Sequence, residues 1–279
     1  MKSIGVILTV FNRKQKTLFC LEKLYESFNY FNKNNEYKLN IYLTDDGSTD
    51  GTSKAVKKKF SNVIVLNGNG QLYWNRGMLK SWSLASKNKY DFYLWVNDDT
   101  FIVKESFILL FKDSIKLAHK AIICGATQSK DTGKVTYGGR TKKSNLLVPN
   151  GEVQKCYFIN GNFVLIPKVI YESIGMLNPF YHHGLGDFDY GIRAQKAGFN
   201  CYTSSNFIGY CEKNGLNRCF NPKINLKTRL KVLYSPLGIN PQKQFYYDKN
   251  NANIFKAIKN FITIHTRTIL PTLWTLKHN

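Results

Sequence analysis

Acidic residues are scarce in this 279-residue chain, where Asp and Glu number 18 against 40 Lys and Arg, a formal charge of +22. Such an excess implies an anionic partner, whether nucleic acid, nucleotide or acidic membrane surface, without choosing among them. Cysteine is present six times but never as Cys-x-x-Cys or with the rhythm of zinc ligands, which leaves Cys20, Cys124, Cys156, Cys201, Cys211 and Cys219 as scattered small hydrophobes of a reducing compartment. Met1-Lys2-Ser3 runs straight into a strand with no long apolar run and no small-residue cleavage site, so export on a signal peptide is not expected. The most hydrophobic C-terminal piece, Phe261 to Leu276, is interrupted by His265, Arg267 and Pro271 and falls short of a spanning helix, so any membrane contact is expected to be peripheral. Internal repeats and low-complexity tracts are also missing. What the chain does have is 43% hydrophobic content, enough for the core of one large domain, with or without an appended tail.

Read in order, the first hundred residues alternate strand and helix. Ile4 to Thr9 is a short strand, broken at Phe11-Asn12-Arg13 before a helix that puts Leu18, Leu21, Leu24, Tyr25 and Phe28 on one face. Leu39 to Thr44 is a second strand, ending in the turn-rich tract Asp45 to Thr52 and a helix to about Phe60. Val63 to Leu66 is a third strand, followed by a Gly/Asn loop and a helix from about Gly77. Phe92 to Val96 is a five-residue apolar run that reads as a strand buried on both faces. This spacing predicts an α/β fold with a mostly parallel sheet and helices on both faces, its loops after Thr9, Thr44, Leu66 and Val96 converging at one edge.

The second half has another rhythm. A helix from about Glu105 to His119 and a strand Ala121 to Ala126 precede a hairpin near Lys134 to Gly139 and a basic, irregular stretch to Val153, read as a mobile loop. Tyr157 to Ile159 and Phe163 to Ile166 form a strand pair or one kinked strand around Asn160-Gly161, and Pro167 opens a short helix at its first position, which Gly175 stops. His182 to Tyr190 leads into a helix capped by Gly198. A boundary near Asn221-Pro222 divides a domain of residues 1–220, with halves 1–100 and 101–220, from a basic 221–279 tail. Ile254, Phe255, Ile258, Phe261 and Ile262 give that tail an amphipathic helix.

Chemistry concentrates where the buried strand ends. Asn97-Asp98-Asp99-Thr100 puts adjacent hard oxygens beyond the carboxyl end of a strand, a place suited to Mg²⁺ or Mn²⁺ bridging a diphosphate, although Asp and Asn are ordinary turn residues and the stretch taken alone reads first as a turn with an N-cap. Gly70 to Gly77 precedes a helix N-terminus, a setting suited to phosphate with Arg76 in reach, or is a glycine-rich turn with Trp74 packed inside.

With these residues laid out, the chain resembles an inverting family 2 glycosyltransferase of the GT-A, Rossmann-like fold over roughly Ser3 to Tyr210. Thr9-Val10-Phe11-Asn12-Arg13 is similar to the first nucleotide-contacting loop of that family, and Asp45 to Thr52 to its acidic loop, where an Asp meets the nucleotide base. Asn97-Asp98-Asp99 resembles the Asp-x-Asp metal motif with its first Asp replaced by Asn. Gly186-Asp187-Phe188-Asp189, followed by Arg193 and Gly198, is similar to the segment that carries the catalytic base. Where the family often places a further His ligand, this chain reads Phe207-Ile208-Gly209-Tyr210-Cys211-Glu212.

The resemblance implies a set of roles. Asp187 is the expected base. Thr9, Phe11, Asn12, Arg13, Asp45, Asp46, Gly70, Arg76 and Asp98 are expected at the donor, and Asn97 and Asp99 at a divalent metal, Mn²⁺ or Mg²⁺. Asn160, Gly161, His183, Asp189 and Arg193 are expected to meet the acceptor or to hold its loop. Asp189 with Arg193 reads as readily as an N-cap and an i,i+4 pair, and His182 and His183 as solvated loop residues.

The implied partners are a nucleoside-diphosphate sugar, with UDP or TDP foremost, and a glycan or lipid-linked acceptor in surface-glycan biosynthesis, at an anionic membrane surface. A sugar nucleotidyltransferase should carry a Gly-rich loop after the first strand, and Thr9 to Lys14 has no Gly. A basic nucleic-acid-binding protein needs a reading module, and acidic loops converging on one edge oppose it.

Overall fold

Apolar side chains alternate between the two sides of the first strand, and in the computed structural model, which describes residues 1–213, 215 and 218–272, each side meets its own core. The strands are β1 (Lys2–Val10), β2 (Tyr37–Asp45), β3 (Val63–Asn67), β4 (Phe92–Val96), β5 (Phe101–Ile102), β6 (Ala121–Gln128), β7 (Val135–Tyr137), β8 (Gly139–Arg140), β9 (Gln154–Cys156), β10 (Phe158–Ile159), β11 (Phe163–Pro167) and β12 (Asn200–Tyr210). The helices are α1 (Lys14–Phe31), α2 (Thr52–Lys59), α3 (Tyr73–Ala85), α4 (Ser106–Lys116), α5 (Lys168–Ile174), α6 (Gly186–Lys196), α7 (Leu226–Tyr234), α8 (Pro241–Asn251) and α9 (Ile254–Ile269).

The main sheet runs β3-β2-β1-β4-β11-β6-β12-β5, with β7 on β6 and β9 on β12, while β8 and β10 pair separately. Strands β3, β2, β1 and β4 are mutually parallel, β6 and β12 are parallel to each other, and β11 opposes both β4 and β6. Among the long strands β11 alone runs against the rest, so the α/β, mostly parallel sheet expected from the alternation is what forms. Ile4, Val6 and Leu8 of β1 and Phe92, Leu94 and Val96 of β4 face α1 and α4. Ile7, Tyr93 and Trp95 face the other way, onto Met78 and Trp82 of α3 and Tyr190 of α6. α3 lies against β1 so closely that a Cβ on Gly77 would overlap Thr9, which is why no larger residue fits there.

Register brings the loops together. Val10 pairs with Asp45 and Asp45 with Asn67, so three parallel strands end in one line. Because β11 is antiparallel, with Phe163 opposite Val96, the loop before it reaches the same edge, and Asn97 N–H donates to the Asn162 carbonyl at 2.9 Å.

Some local expectations shift. Helix α3 starts at Tyr73 rather than Gly77, because the Asp46 carboxylate accepts the Leu72 and Tyr73 N–H groups and so caps it from outside the helix. β10 and β11 are neither a pair nor one kinked strand, since β10 joins β8 and β11 joins the main sheet. Pro167 is the last residue of β11, with extended ψ of 148°, and the helix begins one residue later at Lys168. α8 is bound into the fold, its Tyr247 packing with Phe158, Tyr181 and Ile192. α9 is the amphipathic helix expected in the tail. Residues 273–279, which end both that tail and the Phe261 to Leu276 piece, lie outside the described residues.

Candidate active site

A cavity of about 580 Å³ opens at the edge where the strands end. Its floor is β1 and β4 and their following residues, Thr9, Phe11, Arg13, Asn97, Asp98 and Asp99. Asp46 and Gly70 border it from the β2 and β3 loops, and Asn160, Gly161, His183 and Asp187 from the second half. Twelve of the residues expected at donor, metal or acceptor therefore meet at one cavity.

Arg13 is the hub of the wall formed by the β1 and β4 loops. Its Nη1 donates to Asp98 Oδ1 at 3.1 Å and to Asp99 Oδ2 at 2.9 Å. Burial works against the charge on Arg13, and the two carboxylates outweigh it and raise its pKa. Asp98 is buried, and its second oxygen accepts from Thr17 Oγ1 at 3.1 Å. Burial pushes Asp98 up to about 6 against the pull of Arg13.

Asp99 remains half-open to the cavity, and Cys211 Sγ lies 3.8 Å from its Oδ1, in the stretch where the resemblance would place a His. Asn97 is engaged elsewhere, since its Oδ1 accepts the Trp74 indole N–H at 2.6 Å. Among the described residues no group of three or more His, Cys, Asp and Glu gathers as a metal site. One open carboxylate, Asp99, still fits the way Mg²⁺ or Mn²⁺ binds beside phosphate, with one or two protein carboxylates and the remaining positions filled by phosphate oxygens and water.

Asp187 stands on the opposite wall, at the first turn of α6. Gly161 N–H donates to its Oδ2 at 2.9 Å and Phe188 N–H to its Oδ1 at 2.9 Å. Burial drives its pKa up to about 6, with those two N–H groups and the Arg140 charge opposing. A Cβ on Gly161 would sit 2.5 Å from the Trp74 ring and 3.4 Å from Asp187 Cβ, so backbone, indole and carboxylate are stacked in contact. His183, on the rim, has its pKa lowered by burial and then by Arg13.

Five expected residues lie off the cavity lining. Asn12 ties the β1 loop to the acidic loop, its Oδ1 accepting Thr49 N–H at 2.7 Å. Asp45 accepts the N–H groups of Ser48 and Ser53 and so orders the start of α2. Arg76 Nε donates to the Pro179 carbonyl at 3.2 Å. Asp189 and Arg193 form the i,i+4 pair at 2.9 Å, with Arg193 also bonding the Ile174 and Met176 carbonyls. Asp46 borders the cavity, yet both its oxygens are taken by backbone N–H groups of Gly70, Leu72 and Tyr73. The cavity also uses Trp74, Tyr137, Asn162 and Leu237, which carry no motif. Trp74 was visible in the glycine-rich loop, and the others had no signal beyond their neighbours.

Sequence comparison now bears on this geometry. A profile of glycosyl transferase family 2 matches residues 5–177, most of the chain and the cavity lining from Thr9 to Asn162, and it ends before His183 and Asp187. The chain belongs to glycosyl transferase family 2. It is a glycosyltransferase. No curated protein sequence matches it. Solved structures of similar fold include a mannosyltransferase, PcManGT from Pyrobaculum calidifontis, in complex with GDP-Man and Mn²⁺, at 13% identity and TM-score 0.55, covering 99% of this chain and 78% of that one. TarS 1-349 of S. aureus in complex with UDP-GlcNAc aligns at 13% identity and TM-score 0.56, covering 96% of this chain and 72% of that one. GalNAc-T7 with UDP, GalNAc and Mn²⁺ aligns at 13% identity and TM-score 0.57, covering 95% and 55%. At these identities the likeness is one of fold, and it makes this glycosyltransferase GT-A-like. Among its described residues no helix is long and apolar enough to cross a membrane.

Proposed function

We propose that this glycosyltransferase moves a sugar from a nucleoside-diphosphate sugar, UDP- or TDP-linked, to a hydroxyl of a lipid-linked or polysaccharide acceptor in surface-glycan synthesis, with inversion at the anomeric carbon, in the cytoplasm. The observation that carries this reading is the opposition of two charged walls across one cavity, Arg13 with Asp98 and Asp99 on one and Asp187 on the other. Residues 1–100 serve the donor, 101–220 the acceptor, and 221–279 form an appended basic segment.

Asp187 takes the acceptor proton. Fixed by Gly161 and Phe188 N–H groups, the carboxylate holds one geometry, and its raised pKa keeps it a stronger base than an ordinary aspartate while still ionised at neutral pH. As the hydroxyl oxygen bonds to the anomeric carbon, the bond from that carbon to the diphosphate breaks and the proton ends on Asp187. Arg13 meets the negative charge that develops on the departing diphosphate. Asp99 would hold Mn²⁺ or Mg²⁺, which when bound would supply Lewis-acid stabilisation of that diphosphate.

Thermal unfolding with UDP, TDP, GDP, CDP and CMP, each with and without Mn²⁺, tests the donor. A ligand at about 100 times its Kd adds roughly 2.7 kcal/mol, several degrees of midpoint. A shift with one nucleoside diphosphate, larger with Mn²⁺, supports the reading. No shift with any of them removes it.

A further inference from the structure

Helix α9 is seated on the rest of the fold by one face only. Ala257 and Thr268 are fully buried, while Phe255 is 80% and Ile262 59% exposed, and Ile258 and Ile269 are exposed with them. Positions 255, 258, 262 and 269 are separated by three, four and seven residues, so these side chains form a single stripe running the length of the helix. Continuous apolar surface of this kind, unlike a lone exposed Leu, marks a binding face. Lys256 and Lys259 are exposed beside the stripe. Neither α7 nor α9 contains an acidic residue, and from 218 to the end of the chain Asp248 is the sole acid, buried and bonded to Gln244 and Asn260.

We propose that this stripe lies in the interfacial layer of an anionic phospholipid bilayer, and that it brings the cavity to an acceptor carried on a lipid. An apolar stripe flanked by lysines is the pattern of a helix lying in the membrane plane, with the apolar side among acyl chains and the ammonium groups at anionic headgroups. A second copy of the chain fits poorly, because it would bring one uncompensated basic surface against another. The link to the site is short. Tyr234 at the end of α7 bonds His265 of α9 at 2.7 Å, and three residues later Leu237, 63% exposed, lines the cavity that contains Asp187. The chain bordering the lipid-facing stripe is therefore also the rim of the site. The acceptor class rests on the transferase reading above, while the bilayer contact does not.

Co-sedimentation of the full chain with phosphatidylcholine vesicles, with and without phosphatidylglycerol, tests the proposal. Wild type binds only the anionic vesicles. Phe255→Ser with Ile262→Ser, both at exposed positions, weakens that binding by roughly tenfold or more, and Lys256→Glu with Lys259→Glu weakens it most at low salt. The UDP or TDP thermal shift is unchanged in both variants, which also shows that they fold. Failure of wild type to bind anionic vesicles, or equal binding by the Ser variant, overturns the bilayer contact. So does a dimer on size exclusion that the Ser variant converts to monomer. A chain that binds vesicles but no nucleotide keeps the bilayer contact and overturns the proposed nucleoside-diphosphate-sugar donor instead.

Discussion

The guanidinium Nη1 of Arg13 lies 2.9 Å from Asp99 Oδ2, so the more open carboxylate of the Asp98-Asp99 pair already has a cation beside it. A divalent ion arriving at Asp99 must share that carboxylate with a fixed positive charge, and repulsion between like charges a few ångströms apart lowers its affinity. Replacing Arg13 by Met should raise the affinity for Mn²⁺ alone by about tenfold, while weakening nucleoside diphosphate by a similar factor through loss of the phosphate partner. Titration of Mn²⁺ by electron paramagnetic resonance reads the first effect and calorimetry with UDP the second. Unchanged Mn²⁺ affinity would mean that the metal does not use Asp99.

As the proposed base, Asp187 should set the acid limb of activity. With burial pushing it up to about 6, it loses its proton-accepting form below that pH, well above the value near 4 of an ordinary aspartate. The rate should fall about tenfold per pH unit below 6. Asp98, also near 6, adds to that limb through donor binding, and UDP affinity measured across the same range separates the two. Asp187→Asn should lower turnover by at least 10²- to 10⁴-fold with nucleotide binding retained. A folded-state pKa above the unfolded one favours the fold fully below about pH 4 and loses that contribution as pH rises through 6. The Asn variant should therefore unfold at or above the wild-type midpoint at pH 8. Near wild-type turnover in that variant assigns the base elsewhere.

The alternation of strands and helices was readable because β1 and β4 carry their apolar residues in runs that only a sheet covered on both faces can bury, as Val6, Leu8, Leu94 and Trp95 now show. The motif segments were readable as loops at one edge for the same reason. What periodicity does not carry is which polar group a loop residue meets. Asn97 looks like a metal ligand in the chain, but its partner is an indole 23 residues away, brought there by the start of α3. Asp45 and Asp46 look like one acidic site, yet one faces α2 and the other the Gly70 to Tyr73 turn, because successive residues leaving a strand point to opposite sides. The antiparallel β11, which delivers Gly161 to Asp187, is a topological fact with no local signature.

Gly161 makes a sharp test of that delivery. Gly161→Ala puts a methyl 2.5 Å from the Trp74 ring, so either the indole leaves Asn97 or the loop carrying the Asp187 partner moves. Displacement of about 1 Å at a catalytic carboxylate lowers the rate by roughly 10²-fold. The variant should lose that much turnover with UDP affinity little changed, and Trp74 fluorescence should shift as its hydrogen bond breaks. Full activity would place the acceptor away from the Gly161 wall.

Asp46 separates a scaffold role from a contact role. Three backbone N–H groups converge on its buried carboxylate, and Asp46→Ala leaves them without that acceptor. Hydrogen bonds to a charged acceptor contribute about 1.5–3 kcal/mol each, and partial rescue by water leaves a net loss near 3 kcal/mol, so the midpoint should fall by roughly 5–10 °C. Nucleotide binding should weaken in the same variant, because Gly70 and Tyr73 line the cavity and their loop is no longer held. The conservative Asp46→Asn keeps one acceptor oxygen and should lose about half as much. If Asp46→Ala melts with wild type and loses only nucleotide affinity, the carboxylate meets the nucleotide directly and the backbone bonds are replaceable.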